Sequence, residues 1–187
     1  MNRSTTFKAC LLAASLAAPS VPQTFAQTPA PAPSVTLGDQ PLILQGTGVR
    51  RKFFIDVYSL ALYTERRFKD GESLVAATGP RRAELRFLRD VDRARGEAAW
   101  REAIEHAVDA DERQRLAADI ARFAALFPAV KKGDTITLDD IPGRGLTLQL
   151  NGGTLGTIEN PALFRTVLKI WVGPHPIQTS LKKDLLR

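Results

Sequence analysis

Cysteine is almost absent from this chain. The one cysteine, Cys10, and the one methionine, Met1, both fall in the first 26 of 187 residues. Residues 27–187 therefore carry no thiol, which excludes a cysteine nucleophile, dithiol redox chemistry, a disulfide framework and a cysteine-ligated zinc there. Histidine is nearly as scarce. His106 and His175 lie far apart, without the H-E-x-x-H spacing of a zinc protease. His106 reads as a partly exposed helix residue and His175 as a turn residue in Gly173-Pro-His-Pro176. Asp109-Ala-Asp111 lacks the glycine that a calcium loop needs at its sixth position. No G-x-S-x-G elbow occurs. Gly46-Thr-Gly48 lacks the third glycine and following helix of a dinucleotide site. Neither a cofactor nor a metal is expected. No long basic run is present, so no nucleic-acid partner is expected either.

The first 26 residues read as an export signal. Arg3 and Lys8 supply the positive start, Ala9–Ala18 a short apolar run, and Thr24-Phe25-Ala26 the small residues for cleavage after Ala26 (Ala18 is an earlier alternative). The run is about half of the roughly 20 residues that span a bilayer. The expectation is a periplasmic protein with no stable membrane insertion after cleavage. Removing residues 1–26 takes two basic and no acidic residues from 26 Lys+Arg and 20 Asp+Glu, so the net charge drops from +6 to +4. Residues 27–34 (QTPAPAPS) form a Pro/Ala spacer, and 35–187 one domain large enough for its own core.

Within that domain the hydrophobic pattern alternates between two periods. Leu42-Ile43-Leu44 reads as a strand, and Lys52–Thr64 (KFFIDVYSLALYT) as the strongest strand in the chain, apolar on both faces. Glu72–Ala77 suits a short helix and Ala83–Leu88 a strand. Trp100, Ile104 and Val108 share one helix face. Asp109 to Glu112 reads as a capping box before a second helix carrying Leu116, Ile120, Phe123 and Phe127. Residues 134–158 form a strand meander with turns at Pro142-Gly143-Arg144-Gly145 and Asn151-Gly152-Gly153. Asn160-Pro161 caps and starts a helix to about Val172, and Thr179 or Ser180 caps a last one ending at Arg187. This order predicts an α+β fold, an antiparallel sheet with helices layered on one face.

Most arginines, Arg81 and Arg82 among them, sit beside acids and read as solvated faces carrying both signs. Arg50 differs. It follows a Gly-x-Gly turn and enters an apolar stretch that also carries Tyr58 and Tyr63. A guanidinium in an apolar cleft keeps its charge and needs an anion, which it grips with two parallel hydrogen bonds. A tyrosine hydroxyl adds a third. The simpler readings are that Arg50 pairs with Asp56 or lies exposed at a sheet edge.

The chain resembles the chalcone isomerase superfamily, and most closely its bacterial chalcone isomerase-like members, from about Leu42 to Arg187. The resemblance rests on Gly46-Thr-Gly48-Val-Arg50, on Phe53-Phe-Ile-Asp-Val-Tyr-Ser-Leu-Ala-Leu-Tyr63, and on Phe123-Ala-Ala-Leu-Phe127. Phe164-Arg-Thr-Val-Leu-Lys-Ile-Trp-Val-Gly173 and Leu181-Lys-Lys-Asp-Leu-Leu186 complete it. It implies an open-faced β-sandwich. It also implies one of two functions, flavanone ring closure or non-catalytic binding of fatty acids. Arg50 matches the arginine shared by both kinds of member. Tyr58 stands where the isomerases have a strand threonine, as in the fatty-acid binders. Gly96–His106 contains no Tyr, Lys or Asn where the isomerases have theirs, and the late Thr/Ser position falls on Ile170, beside Trp171.

The resemblance thus implies a non-catalytic protein that binds a fatty acid or similar apolar carboxylate through Arg50 and Tyr58, with Tyr63 and Trp171 as further candidates. The alternatives are an isomerase (intramolecular lyase) using Arg50 as electrophilic anchor, and an assembly protein with a vestigial pocket. One geometric condition follows. Arg50 and Tyr58 lie roughly 26 Å apart on a straight strand, so they meet only if the chain turns between them.

Overall fold

Leu146, Leu148 and Leu150 alternate with Thr147 and Gln149, and a two-residue period sends one set to each face of a sheet. The computed structural model describes residues 30–187, and there this rule builds one curled antiparallel sheet. Its seven strands pair in sequence order: β1 (Ser34–Leu37), β2 (Gln40–Lys52), β3 (Ile55–Thr64), β4 (Arg81–Phe87), β5 (Thr135–Ile141), β6 (Gly145–Leu150) and β7 (Gly153–Ile158). Six helices occupy the connections and the end of the described chain. They are α1 (Gly71–Ala76), α2 (Arg93–Ala107), α3 (Ala110–Arg115), α4 (Ala117–Leu126), α5 (Pro161–Val172) and α6 (Thr179–Leu185). The export signal and most of the spacer lie outside the described residues. Ser34, the spacer's last residue, already belongs to β1.

Four of the six described helices, α1, α2, α3 and α5, start at a side-chain cap. The carboxylates of Asp92 and Asp109 accept from the backbone N–H of Arg95 and Glu112 at 2.9 and 2.7 Å. Asn160 accepts from the N–H of Ala162 at 2.9 Å, with Pro161 in the first turn. Helix α5 buries eight residues, including Phe164, Ile170 and Trp171. A helix apolar nearly all round belongs in the interior, and α5 packs against α1, α2, α6 and β6.

The main core lies between the sheet and the helices. Leu60, Leu62, Leu85, Phe87, Leu138 and Leu148 from the strands meet Trp100, Phe123, Phe127 and Phe164. A smaller cluster of Leu37, Leu42, Ala61 and Tyr63 is separate from it. The architecture is the expected α+β open-faced sandwich. The Asn151-Gly152 turn has φ of 49° and 83°, the positive values for which Asn and Gly were expected there.

Two expectations need correction. Lys52–Thr64 is not one strand. The chain reverses at Phe53-Phe54, and β2 and β3 form a hairpin. Phe53 takes φ of +57°, so the reversal uses a left-handed residue that is not glycine. Apolar density alone does not reveal such a turn. Arg81 and Arg82 also differ from the solvated helix faces expected for the arginines, because both lie on β4. Arg81 is buried and binds Asp140 Oδ2 through Nε and Nη2 at 3.1 and 2.5 Å. Its Nη1 also donates to the carbonyls of Leu74 and Val75 at the end of α1. Arg82 grips Asp139 with two bonds of 2.6 and 2.8 Å.

Candidate ligand-binding site

The hairpin between β2 and β3 sets the site. Arg50 and Tyr58 are direct partners across its ladder. Directly opposed residues point to the same face with Cβ atoms about 5 Å apart. The register shifts immediately beyond them, because Arg51 pairs with Asp56 and leaves Val57 as an extra residue. A bulge of this kind re-aims side chains locally, and here Val57 and Tyr58 both line the same cavity.

That cavity measures about 640 Å³ and lies between the sheet, α2, Ile170 of α5 and Ile177 near the end of the connection that follows α5. Its volume is in the usual range for a small-molecule pocket. Leu85, Phe87, Trp100, Phe127, Ile170 and Ile177 make it apolar. Arg50 and Tyr58 bring polar atoms to it, and Lys52, Glu102, Glu105 and His106 add charged and titratable groups. Gly96 also lines it. A Cβ there would lie 3.2 Å from Phe127 Cδ1, so the glycine lets α2 approach closely.

Arg50 has only neutral partners among the described residues. Its Nη1 donates to the carbonyl of Arg51 and, at 3.3 Å, to Gln178 Oε1. Asp56 is taken by Arg51, whose Nε lies 2.6 Å from Asp56 Oδ1. The pairing of Arg50 with Asp56, one of the simpler readings of the sequence, is therefore not formed. Arg50 Nε and Nη2 have no protein acceptor among the described residues. Gln178 is a residue that the sequence analysis missed. Its amide accepts from the Arg51 N–H at 2.7 Å and donates to Val49 O and Ser180 Oγ. Nothing in the chain spacing signals this, because Gln178 lies 128 positions from Arg50.

Tyr58 is held from behind. Trp171 Nε1 donates to its hydroxyl oxygen at 2.9 Å. Indole nitrogen only donates, so the tyrosine proton stays available for another acceptor. Burial pushes the Tyr58 hydroxyl up to about 12, against smaller lowering effects from the Trp171 hydrogen bond and the Arg50 charge. Tyr58 therefore remains a neutral donor at ordinary pH. Its ring packs against Phe87 at 5.8 Å, and Trp171 meets Trp100 edge-on at 5.9 Å.

The four residues singled out from the sequence thus occupy three places. Arg50 and Tyr58 line the cavity together. Trp171 is fully buried behind Tyr58 and supports it. Tyr63 belongs to the separate small cluster with Leu37 and Leu42, and the structure does not bring it to Arg50. An odd number of strand positions separates Tyr63 from Tyr58, which puts them on opposite faces. A larger, more open groove of about 1200 Å³ lies beside α1, α3 and α5. None of the four residues reaches it, and its Glu112 and Lys169 pair with each other. No group of metal-ligating side chains occurs among the described residues, and no described helix is long and apolar enough to cross a membrane.

A curled antiparallel sheet with helices on one face and a ligand-sized cavity between the layers defines a chalcone isomerase-type sandwich. The family model described as chalcone isomerase-like matches residues 24–187, and the chain belongs to that family. Among solved structures, a fatty-acid binding protein of Arabidopsis thaliana superposes with a TM-score of 0.63 at 17% identity, covering 81% of this chain and 89% of that one. No sequence match is found among curated proteins.

Proposed function

We propose that this protein binds a fatty acid or a similar apolar carboxylate without transforming it. One observation carries the reading. Arg50 lines an apolar cavity beside Tyr58 with no carboxylate of the described chain as its partner. A guanidinium in such a place is most stable with an anion, and its unused Nε and Nη2 suit a bidentate carboxylate. The Tyr58 hydroxyl, oriented by Trp171, supplies a further donor. Leu85, Phe87, Phe127 and Ile177 would cover an apolar tail. The similarity to a plant fatty-acid binding protein supports the same ligand class. Export to the periplasm is part of the reading, on the strength of the signal pattern in residues 1–26.

Native mass spectrometry of the protein purified from expressing cells tests it. A bound carboxylate is expected, and Arg50→Ala is expected to lose it while melting at nearly the same temperature. Each charge-assisted bond is worth about 1.5–3 kcal/mol, so losing the bidentate pair should weaken affinity by at least roughly 10-fold. A delipidated protein that takes up no long-chain carboxylate would refute the reading.

A further inference from the structure

Five large apolar side chains are exposed among the described residues, and three of them are consecutive: Phe53, Phe54 and Ile55. Phe53 is 85% and Phe54 101% exposed. They form the tip of the β2–β3 hairpin, which extends past its neighbours. The ladder between β3 and β4 ends at Tyr58 and Phe87, with one further bond from the Leu88 N–H to Val57 O. Strand β1 pairs only with the opposite end of β2. Residues 51–56 therefore pair only with each other and have no strand from outside the hairpin beside them.

Folding does not explain these residues. Phe53 sits at φ of +57°, where glycine or asparagine would avoid the strain of a bulky side chain. A strained backbone carrying two water-exposed phenyl rings points to a role outside the fold. On the hairpin itself three cations stand against one acid, and Glu102 and Glu105 of α2 line the cavity beside its base. Arg50, Arg51 and Lys52 precede it and Asp56 follows. Arg51 pairs with Asp56, and Lys52 Nζ lies 3.7 Å from Glu102 Oε2, all four side chains remaining about half or more exposed. Glu105 and His106 stand on the same stretch of α2.

We propose that this tip docks the protein on an anionic lipid surface. Phe53, Phe54 and Ile55 enter the headgroup region while Arg51 and Lys52 face the lipid phosphates. A lipid surface fits better than a protein partner. Three side chains on a convex point cannot bury the roughly 800 Å² per partner of a standard protein interface, whereas a bilayer accepts an apolar point with basic shoulders. Arg50 and Lys52, at the base of the tip, also line the cavity. Docking would bring the cavity to the bilayer. That consequence rests on the proposed ligand class, but the docking itself does not.

The test compares the full chain with its Phe53→Gly/Phe54→Ser variant in sedimentation with phosphatidylglycerol and phosphatidylcholine vesicles. Neither phenylalanine lines the cavity, and glycine relieves the positive φ, so the variant should melt as the wild type does. The expected result is wild-type binding that rises with the phosphatidylglycerol fraction and falls with salt, and at least about a tenfold loss in the variant. Equal vesicle binding by both proteins would overturn the proposal. So would a wild type that ignores vesicles while the variant alone loses a dimer or a bound protein. Carboxylate affinity in vesicle-free buffer separates the two readings, because the variant should keep it even where docking is lost.

Discussion

Arg50 and Tyr58 stand directly opposite each other across the β2–β3 ladder although eight positions separate them in the chain. The reversal at Phe53-Phe54 makes this possible. It converts a separation of roughly 26 Å along an extended strand into a cross-strand contact. The same hairpin assigns Asp56 to Arg51 and leaves Arg50 to Gln178, a neutral partner. The arginine thus keeps its charge and lacks an anion at an apolar wall.

The Trp171–Tyr58 hydrogen bond should behave as a coupled unit. Tyr58→Phe leaves the Trp171 N–H buried without an acceptor, at a cost of about 1–3 kcal/mol, and also removes the proposed ligand's second donor. Adding Trp171→Phe should cost less than it does in the wild type, because the orphaned donor leaves with it. Denaturant unfolding of the two single variants and the double variant measures the coupling. Strict additivity would show that the bond contributes nothing.

Both tyrosines of the chain should resist alkaline titration. Burial pushes Tyr58 and Tyr63 each up to about 12, with Glu84 adding to the rise at Tyr63. Absorbance at 295 nm should therefore show little tyrosinate at a pH near 10, where an unfolded chain is half ionised. The sign for stability follows. A folded value above the unfolded one favours folding fully below about 10, and that contribution declines as pH rises toward 12. Early ionisation of one tyrosine in the folded protein, assigned with Tyr63→Phe, would contradict the burial described for that residue.

The buried Arg81–Asp140 pair should be costly to break singly. Arg81→Met leaves an uncompensated buried carboxylate, with an expected loss of about 3–5 kcal/mol. Arg81→Met/Asp140→Leu should recover part of that loss, but not all, because the Leu74 and Val75 carbonyls also lose their donor. Burial outweighs Arg81 and holds the Asp140 carboxyl above its ordinary value. This group's contribution to stability is therefore largest at low pH and is lost as pH rises through its folded value, a dependence that Asp140→Asn should flatten. Thermal melts across the acid range check both statements.

Filling the cavity should block binding without disturbing the fold. Ala99 lines the cavity on α2 while remaining solvent-exposed, so Ala99→Trp has room to be placed over it. Carboxylate binding, followed by displacement of a fluorescent fatty acid, should drop strongly while the melting temperature changes by little. Unchanged binding would move the ligand out of this cavity, with the larger groove beside α1 and α5 as the place to look.

The chain's local patterns were enough to specify its class. Alternating leucines in β6, the Asn151-Gly152 turn, the Asp109 and Asn160 caps and the apolar period of α5 depend on neighbours a few positions away. A single sequence displays such neighbours directly. The scarcity of cysteine and histidine likewise removed whole classes of chemistry. Arg50 and Tyr58 could be named as a pair from the resemblance, but their meeting could not be derived. That depended on a hairpin whose turn residue is phenylalanine at positive φ, where no glycine marks the reversal. Tertiary structure also decided which tyrosine shares the cavity, since Tyr58 and Tyr63 differ in facing and not in chemistry. It placed Trp171 behind Tyr58, gave Asp56 to Arg51, and brought Gln178 to Arg50 from 128 positions away. It turned Arg81 and Arg82 from expected surface charges into closed ion pairs with Asp140 and Asp139. Each of these outcomes is a long-range contact fixed by strand register and helix packing, and no local pattern encodes the partner.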